Sequence, residues 1–243
     1  MKRLWLHAVS VGEVKAISTL VPHLRRDLPD LHLTVTTITK TGQAEARRLI
    51  DADALFRLPL DLPWRMRRLV AKVQPDLFLL SETDYWPFLL RALKASGAKI
   101  AAVSGKLSDR SYRRLKPFPC IARWLYKDID HFLLQTETDR DRFASLGIPR
   151  SKLDITGNLK LSLTPPPLDT PDAFLASLHL PSDRPIITIG STHEGEEELI
   201  IGALDLPNAT YLIVPRHPER FARVKKAFAD RPDVRVVDQM GIL

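Results

Sequence analysis

Cysteine is nearly absent: Cys120 is the only one in 243 residues. One thiol cannot close an internal disulfide, so the fold holds without covalent staples, which fits a reducing compartment. Long apolar runs are missing too. No stretch approaches the roughly 18 residues that span a bilayer. Met1-Lys2-Arg3 leads into only the short run LWLHAV, which predicts no signal peptide. Neither GxxxxGK(S/T) nor GxGxxG occurs, so a P-loop and a classical dinucleotide fingerprint are excluded. The seven histidines are too scattered to predict a zinc site.

What is present is ordinary in amount and uneven in distribution. Apolar residues make up 44% and charged residues 27%, as in a soluble globular chain long enough for one large domain or two small ones. The net charge is +7. Residues 1–163 hold 28 Lys and Arg against 17 Asp and Glu, whereas residues 164–243 hold 8 against 12. A basic front and a mildly acidic back point to an anionic partner for the front: nucleic acid, phospholipid or a phosphorylated substrate. A merely solvated surface accounts for the same balance.

Short apolar runs alternate with segments of helical spacing. RLWLHAV (3–9), LHLTVTTI (31–38), ALFRLP (54–59), DLFLLS (76–81), KIAAVS (99–104) and HFLLQT (131–136) read as strands. The segments between them, beginning with GEVKAISTLVPHLRRDL, read as helices, and Gly97 and Gly147 as helix stops. That alternation predicts an α/β fold with a parallel sheet covered on both faces. The prolines of SLTPPPLDTPDAF break the rhythm, and residues 164–183 read as a linker. It joins a first lobe, 1–163, to a second α/β unit, 184–243, with three strands. Five or six strands are usual for a doubly wound half, so this second lobe is expected to be incomplete.

Candidate chemistry clusters where strands end. In SVGE, Ser10 and Gly12 precede Glu13, an acid placed where a helix begins. A carboxylate at the C-terminal edge of a parallel sheet suits a general base, and equally a first-turn acid that complements the helix dipole. SETDYWP puts Glu82 in the same kind of position, so that one of Glu13 and Glu82 could act as base while the other orients it or binds substrate hydroxyls; equally, Glu82 and Asp84 read as acids at a helix N-terminus. TTITKTG places Thr39 after the second strand, fit for a sugar or phosphate or simply for a strand end. Lys106 and Arg110, in GKLSDRSYRRLKP, suit phosphates or anionic headgroups, or a charged helix face. In the back half, GSTHEGEEE delivers Ser191, Thr192 and His193 onto a helix start, an anion cradle unless its own acids fill it. PRHPER adds Arg216 and His217, and an arginine can hold a phosphate bidentately.

Eight segments in this order, HAVSVGE, TTITKTG, SETDYWP, LSDRS, TGNLK, GSTHEGEEE, PRHPER and DQMG, resemble the 3-deoxy-D-manno-octulosonic acid (Kdo) transferase family. That family builds the inner core of lipopolysaccharide, and the resemblance runs from about Leu4 to Gly241. It implies a GT-B architecture of two Rossmann-like lobes. The front lobe would take the lipid A precursor and the back lobe CMP-Kdo, at the cytoplasmic face of the bacterial inner membrane, with no metal or other cofactor. By the same resemblance Glu13 corresponds to the general base and Glu82 to a second essential acid. Ser191, Thr192, Arg216 and His217 match positions that hold CMP, Met240 and Gly241 open another nucleotide-contacting loop, and Asn158 and Lys160 match a motif at the lobe junction. The family also implies an N-terminal apolar anchor and a donor lobe that runs on past Gly241, with an acid where Ile242 stands. The chain is therefore expected to be a fragment that sits peripherally on an anionic membrane surface.

Three other readings remain: another GT-B nucleotide-sugar transferase, a non-catalytic lipid- or donor-binding remnant, and a nucleic-acid binder. The last is disfavoured by the strand-end acids and by the lack of any nucleic-acid-binding signature.

Overall fold

The computed structural model describes residues 2–82, 84, 86–163, 176, 178, 180, 183–203, 206 and 208–237. The chain divides into two compact units, Met1–Thr164 and Pro165–Leu243. Most of the proline-rich segment 164–183 lies outside the described residues.

The first unit is a seven-stranded, all-parallel sheet in the order β3-β2-β1-β4-β5-β6-β7. Its strands are β1 (Lys2–His7), β2 (Leu31–Thr37), β3 (Ala54–Arg57), β4 (Leu77–Ser81), β5 (Lys99–Gly105), β6 (His131–Leu134) and β7 (Leu153–Ile155). Side chains alternate across it and build two cores. Leu4 and Leu6 of β1 join Leu33 and Val35 against α1 (Val11–Ser18) and α3 (Lys40–Leu49). Trp5 of the same strand joins Phe78, Leu80 and Phe132 on the other face. That face is covered by α4 (Pro63–Val73), α5 (Pro87–Ala95), α7 (Pro119–Tyr126) and α8 (Glu137–Ser145). Both faces are dry, which is why the central strands read as unbroken apolar runs.

Two expectations change. The segment from Gly12 to Leu28 is not one helix but α1 followed by α2 (Val21–Asp27). Pro22 is the cause: it offers no N–H and its ring collides with the carbonyl one turn back, so the helix stops and restarts with Pro22 in its first turn. Helix α6 (Asp109–Leu115) falls where a charged helix face was one of the two readings, whereas strand β7 and helix α7 fall where no element was expected. Of the three residues of β7, only Leu153 is buried, too few to leave a periodic trace. Gly97 and Gly147 do end helices, at φ +86° and +89°, where a side chain would be strained.

In the second unit β8 (Ile186–Thr192), β9 (Thr210–Pro215) and β10 (Val234–Val236) pair in parallel in the order β10-β9-β8. Helices α9 (Glu196–Ala203) and α10 (Phe221–Ala227) follow β8 and β9, around a core of Ile189, Ile201, Tyr211, Ile213 and Val224.

Candidate active site

Strand order explains the site. From β1 the chain winds to β2 and β3, then returns to lay β4 on the other side of β1. The loops leaving β1 and β4 therefore turn to opposite faces and leave a crevice between them, the place where parallel α/β sheets bind ligands. Glu13 follows β1 and Glu82 follows β4.

Glu13 occupies the third position of α1, and Ser10 is the cap. Ser10 Oγ accepts from the Glu13 backbone N–H at 3.4 Å, while the Glu13 carboxylate accepts from Ser10 Oγ at 2.8 Å and from the Val9 N–H at 3.0 Å. This is a variant of the S-x-x-E capping box, in which the carboxylate takes the Val9 N–H in place of that of the cap residue; its residues stand in the sequence as Ser10-Val11-Gly12-Glu13. It leaves Glu13 only 6% exposed. A Cβ at Gly12 would meet nothing nearer than Lys160 Cε at 3.9 Å. The crowded glycine is Gly42, whose Cβ would lie 2.8 Å from Thr39 Oγ1. Thr39 caps α3 by accepting from Gly42 N–H at 2.9 Å.

Glu82 sits at φ +58°, a left-handed conformation that costs a non-glycine residue of order 1–3 kcal/mol. Its neighbour on β5, Ser104, does the same at φ +53°, where a bulge interrupts the β5–β6 pairing. The bulge is held by Gln135 Nε2, which donates to the Ser104 carbonyl at 2.9 Å. Two strained residues on adjacent strand ends aim Glu82 at a pair of ammonium groups. Lys160 Nζ lies 2.8 Å from Oε1 and Lys106 Nζ 2.9 Å from Oε2. Burial pushes the Glu82 carboxyl up, but the hydrogen bonds and charges of Lys160 and Lys106 outweigh it, leaving Glu82 below the usual range. Asn158 supports this arrangement: its side chain accepts from the Lys160 N–H at 2.9 Å and from Ser104 Oγ at 3.4 Å.

Asp84 completes the cluster, and it was weighed in the sequence only as a helix-terminal acid. Burial first, then the charges of Glu13 and Glu82, push its carboxyl up to about 6. Beneath it, Trp86 meets His7 edge-on at 5.3 Å between ring centroids. His7 is fully buried, bonded through Nδ1 to Thr36 Oγ1 at 2.9 Å, and burial lowers its pKa to about 4, so it is neutral at pH 7. His7 and Trp86 thus seat the loop that carries Glu82 and Asp84. Arg110 stands apart from this group, exposed on α6.

The second unit gathers Ser191, Thr192, His193, Arg216 and His217 at the ends of β8 and β9. Ser191 adopts φ +61°, the Arg216 N–H donates to the Thr192 carbonyl at 3.0 Å, and the rings of His193 and His217 lie 5.8 Å apart. Here the acids fill the helix start. Glu196 accepts from the His193 N–H at 2.7 Å, and buried Glu197 is clamped by Arg220. Met240 and Gly241 lie outside the described residues. Among the described residues no three His, Cys, Asp or Glu side chains converge as metal ligands, and no helix is long and apolar enough to cross a membrane.

A family model described as 3-deoxy-D-manno-octulosonic-acid transferase (kdotransferase) matches residues 1–163. The chain belongs to this family. The match contains Glu13, Glu82, Asp84, Lys106, Asn158 and Lys160 and stops before the second-unit group. Similar curated proteins are 3-deoxy-D-manno-octulosonic acid transferases. The one from Haemophilus influenzae is 37% identical over 230 residues, 90% of this chain and 52% of that protein. The one from Bordetella pertussis is 36% identical over 237 residues, 90% and 53% of the two chains. This kdotransferase-family chain thus spans about half the length of the curated relatives it matches.

Solved structures agree on the fold. UDP-GlcNAc 2-epimerase from Neisseria meningitidis, bound to UDP-GlcNAc, covers 98% of this chain at TM-score 0.65 and 15% identity, with 72% of its own length covered. The S. aureus MnaA–UDP structure covers all of it at TM-score 0.67 and 14% identity, with 70% of its own length covered. At such identities the likeness establishes the fold alone: α/β, of the GT-B type expected from the sequence.

Proposed function

We propose that this chain supplies the acceptor-binding unit and part of the donor-binding unit of an inverting transferase. It moves Kdo from CMP-Kdo to the lipid A precursor (lipid IVA) at the cytoplasmic face of the inner membrane. The observation that carries this reading is the set of three carboxylates, Glu13, Glu82 and Asp84, gathered at one crevice inside the part of the chain that the kdotransferase family covers.

In this reading Glu13 accepts the proton of the acceptor's primary hydroxyl as that oxygen attacks the anomeric carbon of Kdo. The bond to the CMP phosphate breaks on the opposite face, configuration inverts, and no covalent intermediate forms. Glu13 is suited because its capping bonds fix it while its carboxylate retains further lone pairs. Lys106 and Lys160, which neutralise Glu82 here, are the cations an anionic acceptor would draw on. In the second unit the donor phosphate takes the place of the Glu196 carboxylate on the His193 N–H. Ser191, Thr192, Arg216 and His217 lie around it, and Arg216 stabilises the charge that develops as CMP leaves.

The test is transfer from CMP-Kdo, generated in situ, to a tetraacyl lipid A precursor. The enzyme is this chain joined to the C-terminal portion of the Haemophilus influenzae relative. Turnover with CMP-Kdo but not with UDP-sugars, lost in Glu13→Gln, is the expected result. A folded protein that transfers nothing from CMP-Kdo rejects the proposal.

A further inference from the structure

Glycine enters the left-handed region without cost, and Gly97 and Gly147 use that freedom at helix ends. At the end of β5 the chain puts serine there instead, Ser104 at φ +53°. Serine is the costlier choice, and what it adds is a hydroxyl. That hydroxyl is fully committed. Ser104 is 4% exposed, and a hydroxyl has one hydrogen to give and two lone pairs to fill. Ser104 Oγ donates to Asn158 Oδ1 at 3.4 Å and accepts from the Leu159 N–H and from Gln135 Nε2, each at 3.3 Å. One partner would suffice to offset its burial. Three partners, from the segments that follow β6 and β7, make it a junction.

What the junction holds is charge. Asn158 Oδ1 also accepts from the Lys160 N–H at 2.9 Å, which opens the short 3-10 helix Leu159–Ser162 that carries Lys160. Leu159 packs against the core that holds Leu33 and Val35, and Lys160 Cε passes over Gly12 on its way to Glu82. Lys106 stands two residues beyond Ser104 on the other side. Gln135 Nε2 holds the Ser104 carbonyl and the Gln135 N–H holds the Gly105 carbonyl, both at 2.9 Å, so the segment delivering Lys106 leaves β5 in a fixed direction. The Val103 carbonyl accepts the Glu82 N–H, again at 2.9 Å. Three consecutive residues of β5 therefore register one carboxylate and both its cations. Ion pairs made by half-exposed lysines are individually weak, and two ammonium groups on one carboxylate repel each other. Backbone anchors have to keep them together. We propose that Ser104 is the positioning residue of this cluster: its backbone sets where Lys106 departs, and its hydroxyl, through Asn158, sets where Lys160 stands. It rests on the transferase reading only for what these charges serve.

The test uses the 243-residue chain with carboxyl-labelled glutamate, Glu82 being assigned by its loss in Glu82→Gln, and competitive acetylation of lysines read by mass spectrometry. Ser104→Gly removes the hydroxyl at a φ that glycine takes freely, so relief of strain offsets the lost bonds and the circular dichroism stays unchanged. The expected result is a Glu82 titration midpoint that moves up toward the ordinary carboxylate range, with Lys160 acetylated several-fold faster. Asn158→Ala cuts the same link from its other end and gives the same two changes, and the double variant gives no more than either alone. Both folded variants keeping the wild-type Glu82 midpoint and Lys160 reactivity would overturn the proposal. So would fully additive effects, which mean that the two residues act separately. In the protein joined to the Haemophilus influenzae portion, Ser104→Gly lowers kcat by about tenfold to a hundredfold. Unchanged turnover there, in a protein that is otherwise active, also overturns it. The titration and the acetylation need no substrate. Their changes in a chain whose joined form transfers nothing support the positioning role and count against the transferase reading alone.

Discussion

Each unit holds a carboxylate beyond a strand end and meets it with positive charge, half-buried at Glu82 and fully buried at Glu197, and the two solutions differ. Glu197 in the second unit is 1% exposed, and a single arginine closes it. Arg220 reaches both of its oxygens, at 2.9 and 3.0 Å, and also donates to the Thr192 carbonyl at 2.8 Å. A guanidinium is a rigid fork that meets several acceptors at once, and here it is committed to the buried Glu197 carboxylate and the Thr192 carbonyl. Glu82 is met instead by two lysines whose side chains are 45% and 39% exposed. Ammonium groups on flexible stems are point charges that can be drawn away by a better anion. The Arg220 pair is architecture. The lysine pair is the one that the proposed anionic acceptor would draw on.

The neighbours deepen the contrast. Burial pushes both Glu82 and Glu197 upward, and in both the cations win and lower the pKa. Asp84, which also feels Lys106, goes the other way because burial first, and then the charges of Glu13 and Glu82, outweigh that one cation. One crevice thus holds a carboxylate kept ionised and another that protonates near neutrality. Oppositely shifted groups of this kind are characteristic of acid–base sites.

The largest expected effect separates cap from base at Glu13. Glutamine can still complete a capping box, so Glu13→Gln should change stability by less than about 1 kcal/mol and lower transfer by about a hundredfold to ten-thousandfold. Full turnover in Glu13→Gln, with CMP-Kdo and the joined protein, would reduce Glu13 to a cap like Asp139. That residue shares a similar box with Thr136 at the start of α8. Next comes the clamp itself. Glu197→Ala leaves Arg220 without its partner and should cost the second unit about 3–5 kcal/mol in urea unfolding, whereas Glu82→Gln should cost about 1 kcal/mol or less. Equal losses would erase the distinction drawn between them.

A pH experiment probes the first unit. The folded-state pKa of His7 is depressed from 6.5 to about 4, so stability present above pH 6.5 is lost as pH falls toward 4, by about 3 kcal/mol in all. Asp84 opposes this. Its raised pKa makes the fold gain stability as pH falls through about 6 toward the ordinary carboxylate range. Asp84→Asn should therefore steepen the acid loss between pH 6.5 and 4.5 and stabilise the fold modestly at pH 8, as read by chemical denaturation at each pH. The smallest effect concerns the glycines. Gly12→Ala should shift stability by less than about 1 kcal/mol, because its Cβ meets only Lys160 Cε. Gly42→Ala should cost about 1–3 kcal/mol by colliding with the Thr39 cap, and thermal melts would rank the two.

Much of this was legible along the chain. Strands β1 to β6 showed as apolar runs because both sheet faces are buried, and Gly97 and Gly147 marked helix ends because only glycine takes their φ at no cost. The S-x-x-E box was written in Ser10 and Glu13, though only the hydrogen bonds showed that the carboxylate turns back on its own loop. The Pro22 break was equally visible and was overridden by a helical period on both sides of it.

Local sequence by itself determined strands, helix caps and the positions of acids at strand ends, because propensity, capping and side-chain period act over a few residues. Only the tertiary structure decided which acids share a crevice. Glu82 meets Lys160 across 78 residues of sequence, Ser104 and Glu82 take strained backbones side by side, and the β1–β4 adjacency that gathers Glu13, Glu82 and Asp84 exists only once the sheet reverses its winding. Those choices belong to strand order, and strand order is set by long-range packing that no short window of residues contains.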